Sequence, residues 1–223
     1  MRVVAGKLKG QKFAEKNDFT SLRPTTEKAR QAIFNILTPE INTILNTKAN
    51  IKVLDLACGS GAFSFEAISR FPSFATLVDY NSKHLQFTQE SANSLGIYER
   101  CSFLKLDLCN MPLNNDYFDI IFLDPPYSAN YWQIISEIAK KNWLQKYSLF
   151  VVEFTIQNDN FLDYDLLKII KNPKLLKNHH QDVEEKIKKK FTDLFHLLNL
   201  IYKTEIFSIK SYGDTGIMAI KVQ

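Results

Sequence analysis

Phe118-Asp119-Ile120-Ile121-Phe122-Leu123-Asp124-Pro125-Pro126-Tyr127 is an apolar run that stops at a carboxylate, two prolines and an aromatic ring. The run has the character of a parallel strand buried on both faces. Ligands of open α/β sheets bind just outside the carboxyl ends of such strands. Each proline fixes its own φ and pushes the residue before it toward extended backbone. The Asp124 side chain and the Pro125 carbonyl are therefore held side by side, with Pro126 and Tyr127 just beyond. Two acceptors so placed suit a planar exocyclic amine. They take its two N–H bonds, draw the nitrogen toward a pyramidal shape and expose its lone pair. Tyr127 offers a face for a base swung out of its stack. The plainer alternative is a strand-ending turn that happens to hold two prolines.

Upstream, Ile51-Lys52-Val53-Leu54-Asp55-Leu56 predicts a strand, Ala57 to Gly61 a glycine turn, and Ala62 to Arg70 a helix. Together they form a nucleotide-binding unit in which bare backbone lets a ligand come close. Asp55, ahead of Gly59 and Gly61, would repel a pyrophosphate. It suits a ligand that carries an ammonium and a sulfonium, which describes S-adenosylmethionine. The alternative for Asp55 is a structural hydrogen bond to its own loop. Ala75 to Tyr80 predicts a second strand, whose acid, Asp79, lies 18 residues after Gly61. An acid there accepts ribose hydroxyls, for an adenosyl cofactor as for NAD; Tyr80 joins it as a cofactor-binding candidate. A helix from Ser82 to Leu95 is stopped by Gly96. The third strand, Cys101 to Leu106, ends in Asp107-Leu108, where a side chain and a backbone N–H can read an adenine edge.

The rest of the chain fills out the sheet. A helix over 129–141, a strand over 148–154 and an antiparallel hairpin around Tyr212-Gly213-Asp214-Thr215 are expected. The predicted fold is α/β: a Rossmann-like, seven-stranded, mostly parallel sheet with helices on both faces and a C-terminal antiparallel hairpin. Near the start, Ala29, Ala32, Ile33, Ile36 and Leu37 recur at helical spacing, with Arg30 expected off that stripe and residues 38–50 a helix tail and connector. Between 173 and 202, Val183, Ile187, Phe191, Leu194, Phe195 and Leu198 form an amphipathic stripe. Its lysines at 186 and 188–190 invite an RNA-binding reading, but Glu184 and Glu185 pair with two of them at i,i+4, which favours a solvated face.

The 223 residues suffice for one domain with an extension, and no apolar run reaches membrane-spanning length, so a soluble protein is expected. The amino terminus lacks the apolar segment of a secretory signal. Three cysteines without a CxxC pair, and four histidines without ligand spacing, argue against a disulfide framework and a metal site and leave a reducing cytoplasm as the default. Lys and Arg number 28 against 24 acids; Arg2, Lys7, Lys9 and Lys12 lie in residues 1–14, which hold no acid, so the remainder is balanced. Val3 to Phe13 predicts two short strands around a glycine turn, anchored by Leu8 and Phe13. This basic hairpin reads as an arm that contacts phosphates, with a lysine-protected edge strand as the alternative. Arg23 meets a phosphate, a cofactor carboxylate or a surface ion-pair partner.

Asp55 with Gly59 and Gly61, then Asp79, Asp107 and Asp124-Pro125-Pro126-Tyr127, resemble the motif order of class I S-adenosylmethionine-dependent methyltransferases. Arg2-Val3-Val4-Ala5-Gly6-Lys7, Leu22-Arg23-Pro24-Thr25-Thr26, Phe34-Asn35 and the Tyr212-Gly213-Asp214-Thr215 turn narrow the resemblance to the RsmD family. Those enzymes methylate the N2 amine of a guanine in bacterial 16S rRNA. The resemblance implies S-adenosylmethionine across Asp55, Cys58, Gly59 and Gly61, with Asp79 on its ribose and Asp107, beside Leu108, near its adenine. It implies catalysis at Asp124, Pro125, Pro126 and Tyr127, RNA contacts at Arg2, Lys7, Lys9, Lys12 and Arg23, and no metal. Implied partners are 16S rRNA and the small ribosomal subunit or its assembly intermediate, for a monomeric cytoplasmic enzyme. The implied division is an N-terminal basic extension, 1–24, and a methyltransferase domain, 25–223, with a lysine-rich helical insertion at about 165–203. N6-adenine methylation of DNA or RNA and a non-catalytic assembly factor are the alternatives.

Overall fold

The computed structural model describes residues 1–13, 25–155, 203–212 and 215–223. Arg23 and the lysine-rich segment lie outside the described residues. Strands β1 (Ile51–Leu56), β2 (Ser73–Asp79), β3 (Cys101–Lys105), β4 (Ile120–Leu123), β5 (Leu149–Thr155), β6 (Thr204–Tyr212) and β7 (Thr215–Val222) form one sheet in the order β3-β2-β1-β4-β5-β7-β6. The first five are parallel, and β7 runs antiparallel to both β5 and β6. This is the expected seven-stranded sheet with its closing hairpin. Gly216 is required there: a Cβ would stand 2.3 Å from the Phe154 ring.

Side-chain alternation sorts the sheet into two cores. Val53, Ile120, Phe122 and Val151 face helices α1 (Glu27–Leu45), α2 (Ala62–Arg70) and α3 (Ser82–Ser94). Leu54, Leu56, Ile121, Leu123 and Val152 face α4 (Tyr131–Lys140). Because both faces are covered, β4 is buried at every position, which is why its sequence is continuously apolar. The chain reverses direction across the sheet between β1 and β4, whose last residues, Leu56 and Leu123, are paired. That pair marks the switch point, where a crevice opens. Among the described residues no helix is long and apolar enough to cross a membrane.

Helix α1 runs through Pro39 to Leu45, so the expected helix tail extends to 45 and the connector follows. Ile41 is fully buried and Ile44 and Leu45 pack on the same core, so burial outweighs the proline's missing donor. The N-terminal hairpin is reduced to a single antiparallel bridge between Arg2 and Lys12. It is held by the protein body more than by its own ladder.

Glu66 of α2 is 0% exposed and organises that attachment. Its carboxylate accepts from the backbone N–H groups of Val4 (2.8 Å) and Ala5 (2.9 Å), and from Arg30 (3.4 Å) and Arg70 (2.7 Å). Arg30, expected off the apolar stripe, is instead 1% exposed. It donates to the carbonyls of Arg2 (2.7 Å) and Thr25 (3.4 Å) as well as to Glu66. Gly6 lies against α2 with φ +83°, where a Cβ would fall 2.1 Å from the Ser69 carbonyl oxygen. Phe13 closes the arm edge-on against Phe65, with ring centres 5.2 Å apart.

Candidate active site

The turn after β1 is wound tightly: Ala57, Gly59 and Gly61 all take positive φ, at 60°, 51° and 73°. Only glycine fits position 61, where a Cβ would stand 2.6 Å from Thr88 and 2.8 Å from Phe65. The Gly59 N–H donates to Asp79 Oδ2 (2.9 Å), and the Thr88 hydroxyl on α3 bonds the Gly59 carbonyl. Asp79 Oδ1 accepts from the Asn81 N–H (2.8 Å) and meets His84 Nδ1 (3.2 Å). An acid at the end of β2 thus holds the loop at the end of β1.

Beside this loop a cavity of about 510 Å³ opens at the carboxyl ends of the parallel strands. Gly59, Asp79, Asp107, Asp124, Pro125 and Tyr127 line it, and so do Tyr80, Leu108 and Pro126. Tyr80 is 73% exposed at its rim. Asp107 is also exposed, its Oδ1 accepting from the Cys109 N–H. The four residues of the Asp-Pro-Pro-Tyr turn and the acids of β2 and β3 therefore share one wall-to-wall space.

Asp55, Cys58 and Gly61 stand behind that wall. Asp55 is 1% exposed and turned onto α2, where its Oδ2 accepts from the Ser64 hydroxyl (2.7 Å) and N–H (3.3 Å). Burial pushes its pKa up to about 7, against the pull of Ser64 and with help from Asp79. Burial likewise drives the Cys58 thiol well above its ordinary value. The basic candidates among the described residues are absent from the cavity lining. Lys7, Lys9 and Lys12 are exposed on the arm, and Arg2 forms an exposed ion pair with Glu27 (3.1 Å).

Three residues at Asp124 were not read from the sequence. Thr25, just ahead of α1, places Oγ1 2.9 Å from Asp124 Oδ2 and 3.1 Å from Glu153 Oε2. Tyr131 directs its hydroxyl at the carbonyls of Pro125 (3.2 Å) and Glu153 (3.3 Å). The Pro125 oxygen keeps a second lone pair for the cavity. Burial raises Asp124 to about 7; Thr25 lowers it and nearby Asp55 raises it. The sequence signals were Glu153 itself, a carboxylate inside the apolar run Val151-Val152-Glu153-Phe154, and the Leu22-Arg23-Pro24-Thr25-Thr26 motif that contains Thr25.

The described cavity lining includes three carboxylates and no Lys or Arg. Such a donor set rejects a pyrophosphate and receives a ligand that brings positive charge and hydroxyl donors. S-adenosylmethionine has both.

The family model described as Conserved hypothetical protein 95 matches residues 1–181. Ribosomal RNA small subunit methyltransferase D of Haemophilus influenzae is 32% identical over 161 residues, covering 69% of this chain and 78% of that protein. An uncharacterized methylase of Rickettsia prowazekii is 26% identical over 215 residues, covering 74% and 90%. Among solved structures, the Escherichia coli protein yhhF superposes with a TM-score of 0.66 at 19% identity, covering 100% of this chain and 98% of that one, a likeness of fold. With a family model matched over most of its length and relatives 32% identical over more than two thirds of it, the chain belongs to the RsmD family of methyltransferases.

Proposed function

We propose that this protein methylates ribosomal RNA, transferring a methyl group from S-adenosylmethionine to the N2 amine of a guanine in 16S rRNA of the small subunit. The observation that carries the proposal is the placement of Asp124, Pro125 and Tyr127 on a cavity that also holds Asp79 and Asp107. The name of the Haemophilus relative supports the RNA class. The carboxylate lining supports the cofactor.

When bound, S-adenosylmethionine supplies a methyl group on a positively charged sulfur, an electrophile that needs no metal. Asp79 accepts the ribose hydroxyls with the lone pairs its backbone bonds leave over, while Asp107, Leu108 and Tyr80 flank the adenine. Gly59 admits the ligand to bare backbone. Asp55, Cys58 and Gly61 contribute by shaping the loop from behind. Asp124 and the Pro125 carbonyl accept the guanine's two N–H bonds and aim its lone pair, and Tyr127 stacks on the ring. As the N–CH3 bond forms, the S–CH3 bond breaks and leaves a neutral thioether, and Asp124 is the adjacent acceptor for the proton that the nitrogen sheds.

The same proposal divides labour between the amino-terminal extension, residues 1–24, which grips RNA backbone through Arg2, Lys7, Lys9, Lys12 and Arg23, and residues 25–223, which carry the chemistry. The enzyme works as a cytoplasmic monomer on the subunit or an assembly intermediate. Arg2 can exchange its exposed Glu27 partner for a phosphate at little cost. Lys7, Lys9 and Lys12 together changed to Glu should weaken RNA binding and reduce the slope of log affinity against log salt by about 3. Filter binding across a salt series measures this, and an unchanged slope would move the RNA surface elsewhere.

The decisive experiment incubates the protein with labelled cofactor and small subunits from cells lacking the gene, then resolves the digested nucleosides by mass. N2-methylguanosine is the expected product; N6-methyladenosine would overturn the assignment.

A further inference from the structure

Three donors reach the Asp79 carboxylate among the described residues. The Gly59 N–H takes Oδ2 (2.9 Å), while the Asn81 N–H (2.8 Å) and His84 Nδ1 (3.2 Å) share Oδ1. An ionised carboxylate only accepts, so the imidazole is the donor in the third contact. A carboxylate offers about four lone-pair sites, two on each oxygen. Oδ1 is therefore full, and one site is left, on Oδ2. A ribose brings two hydroxyls. Asp79 receives both, one on each oxygen, only if a donor leaves Oδ1.

The two donors on Oδ1 are not equally free to go. The Asn81 N–H belongs to the N-cap of α3 and makes the shorter bond, so moving it would displace the start of that helix. His84 is a side chain on the first turn of α3, 16% exposed, and it lines the cavity. Its main chain is fixed, since its carbonyl accepts from the Thr88 hydroxyl (2.6 Å). Asn81 Nδ2 lies 3.2 Å from Nε2 and steadies the far side of the ring, with the amide oxygen held by the Lys83 N–H (2.9 Å). A small rotation of the ring therefore shifts Nδ1 most. A hydroxyl donates and accepts at once. One that enters between Nδ1 and Oδ1 satisfies both, and no polar group is orphaned.

We propose that His84 is a cofactor-binding residue: its Nδ1–H passes from Asp79 Oδ1 to the oxygen of one ribose hydroxyl, and that hydroxyl donates to the Oδ1 site the imidazole vacates. The second hydroxyl donates to the open site on Oδ2. Asp79 by itself recognises only the hydrogen of a hydroxyl; with His84 the site recognises the oxygen as well. The inference rests on S-adenosylmethionine as the proposed cofactor and deepens the reading of its ribose.

Calorimetry with S-adenosylhomocysteine and its 2′-deoxy and 3′-deoxy analogues tests this without turnover. His84→Ala should weaken binding of the full ribose by about 3- to 10-fold, the scale of one ordinary hydrogen bond. With the analogue that lacks the bridged hydroxyl, the same substitution should cost less than about twofold; with the other analogue the loss should return. His84→Asn, whose amide nitrogen stands near the place of Nδ1, should recover most of the affinity. Equal losses with all three ligands would put the effect in the fold of α3, and no loss with any would leave His84 an occupant that simply departs. Either result would overturn the proposal. Should the alanine variant not fold, NMR of the wild type still decides. The His84 Nδ1 proton should move upfield on saturation with S-adenosylhomocysteine, because a hydroxyl is a weaker acceptor than a carboxylate; an unmoved resonance would count against it equally. If the wild type binds none of the three ligands, the proposed cofactor falls and this inference with it, a result distinct from binding that is indifferent to residue 84.

Discussion

Asp124→Ala should lower the rate of methyl transfer by on the order of 10²- to 10³-fold, the usual loss when one preorganised polar contact to a transition state is removed. Cofactor affinity should change little, because Asp79 and the Gly59 turn stay locked by bonds that do not involve Asp124. Label incorporation under single-turnover conditions measures the first, and calorimetry the second. A variant that keeps its rate within a few-fold would remove Asp124 from the chemistry. The same side chain works against the fold. Its pKa is raised to about 7 from an ordinary 3.8, so the native state holds a proton that the unfolded state gives up between those values. Its contribution to stability is complete below about 4 and is lost as pH rises through about 7. Asp124→Asn should therefore melt higher than wild type at pH 8, with the advantage shrinking as the buffer is made acidic.

Glu66→Ala should destabilise the protein by roughly 3–5 kcal/mol, the range for stripping one partner from a buried ion pair. For a chain of this size that is a fall in melting temperature of about 10 °C or more. Alanine leaves Arg30 buried without its counter-ion, and strands the N–H groups of Val4 and Ala5. Arg70 loses its bond as well, though it keeps its place over the Phe34 ring. Differential scanning calorimetry checks the shift; melting within a degree or two of wild type would show that water replaces the carboxylate.

What the sequence disclosed was whatever is encoded locally. The β4 run and the Asp124-Pro125-Pro126-Tyr127 turn were legible because burial on both faces and two fixed φ angles act over a few residues. The Gly59–Gly61 turn and α2 were legible for the same reason, as a change of period at a pair of glycines. Contacts closed by the fold were not. Thr25 reaches Asp124 across 99 residues and Glu153 across 128, and Arg30 meets Glu66 across 36. Helical periodicity put Arg30 beside an apolar stripe and had no means of seeing the acid that draws it inward. Asp55 shows a subtler gap. Strand alternation does fix that it points with Val53 rather than with Leu54. A strand apolar on both faces does not say which face receives α2, so a ligand contact and a helix-start contact looked alike.

The carboxylate of Glu66 also decides where this protein can be cut. A gene shortened to begin at the first turn of α1 would omit Val4, Ala5 and the Arg2 carbonyl, and their vacated partners lie in the dry interior between α1 and α2. What looks like a detachable basic leader is a keystone inserted from outside, and expression trials that trim it will return aggregate instead of a smaller catalyst.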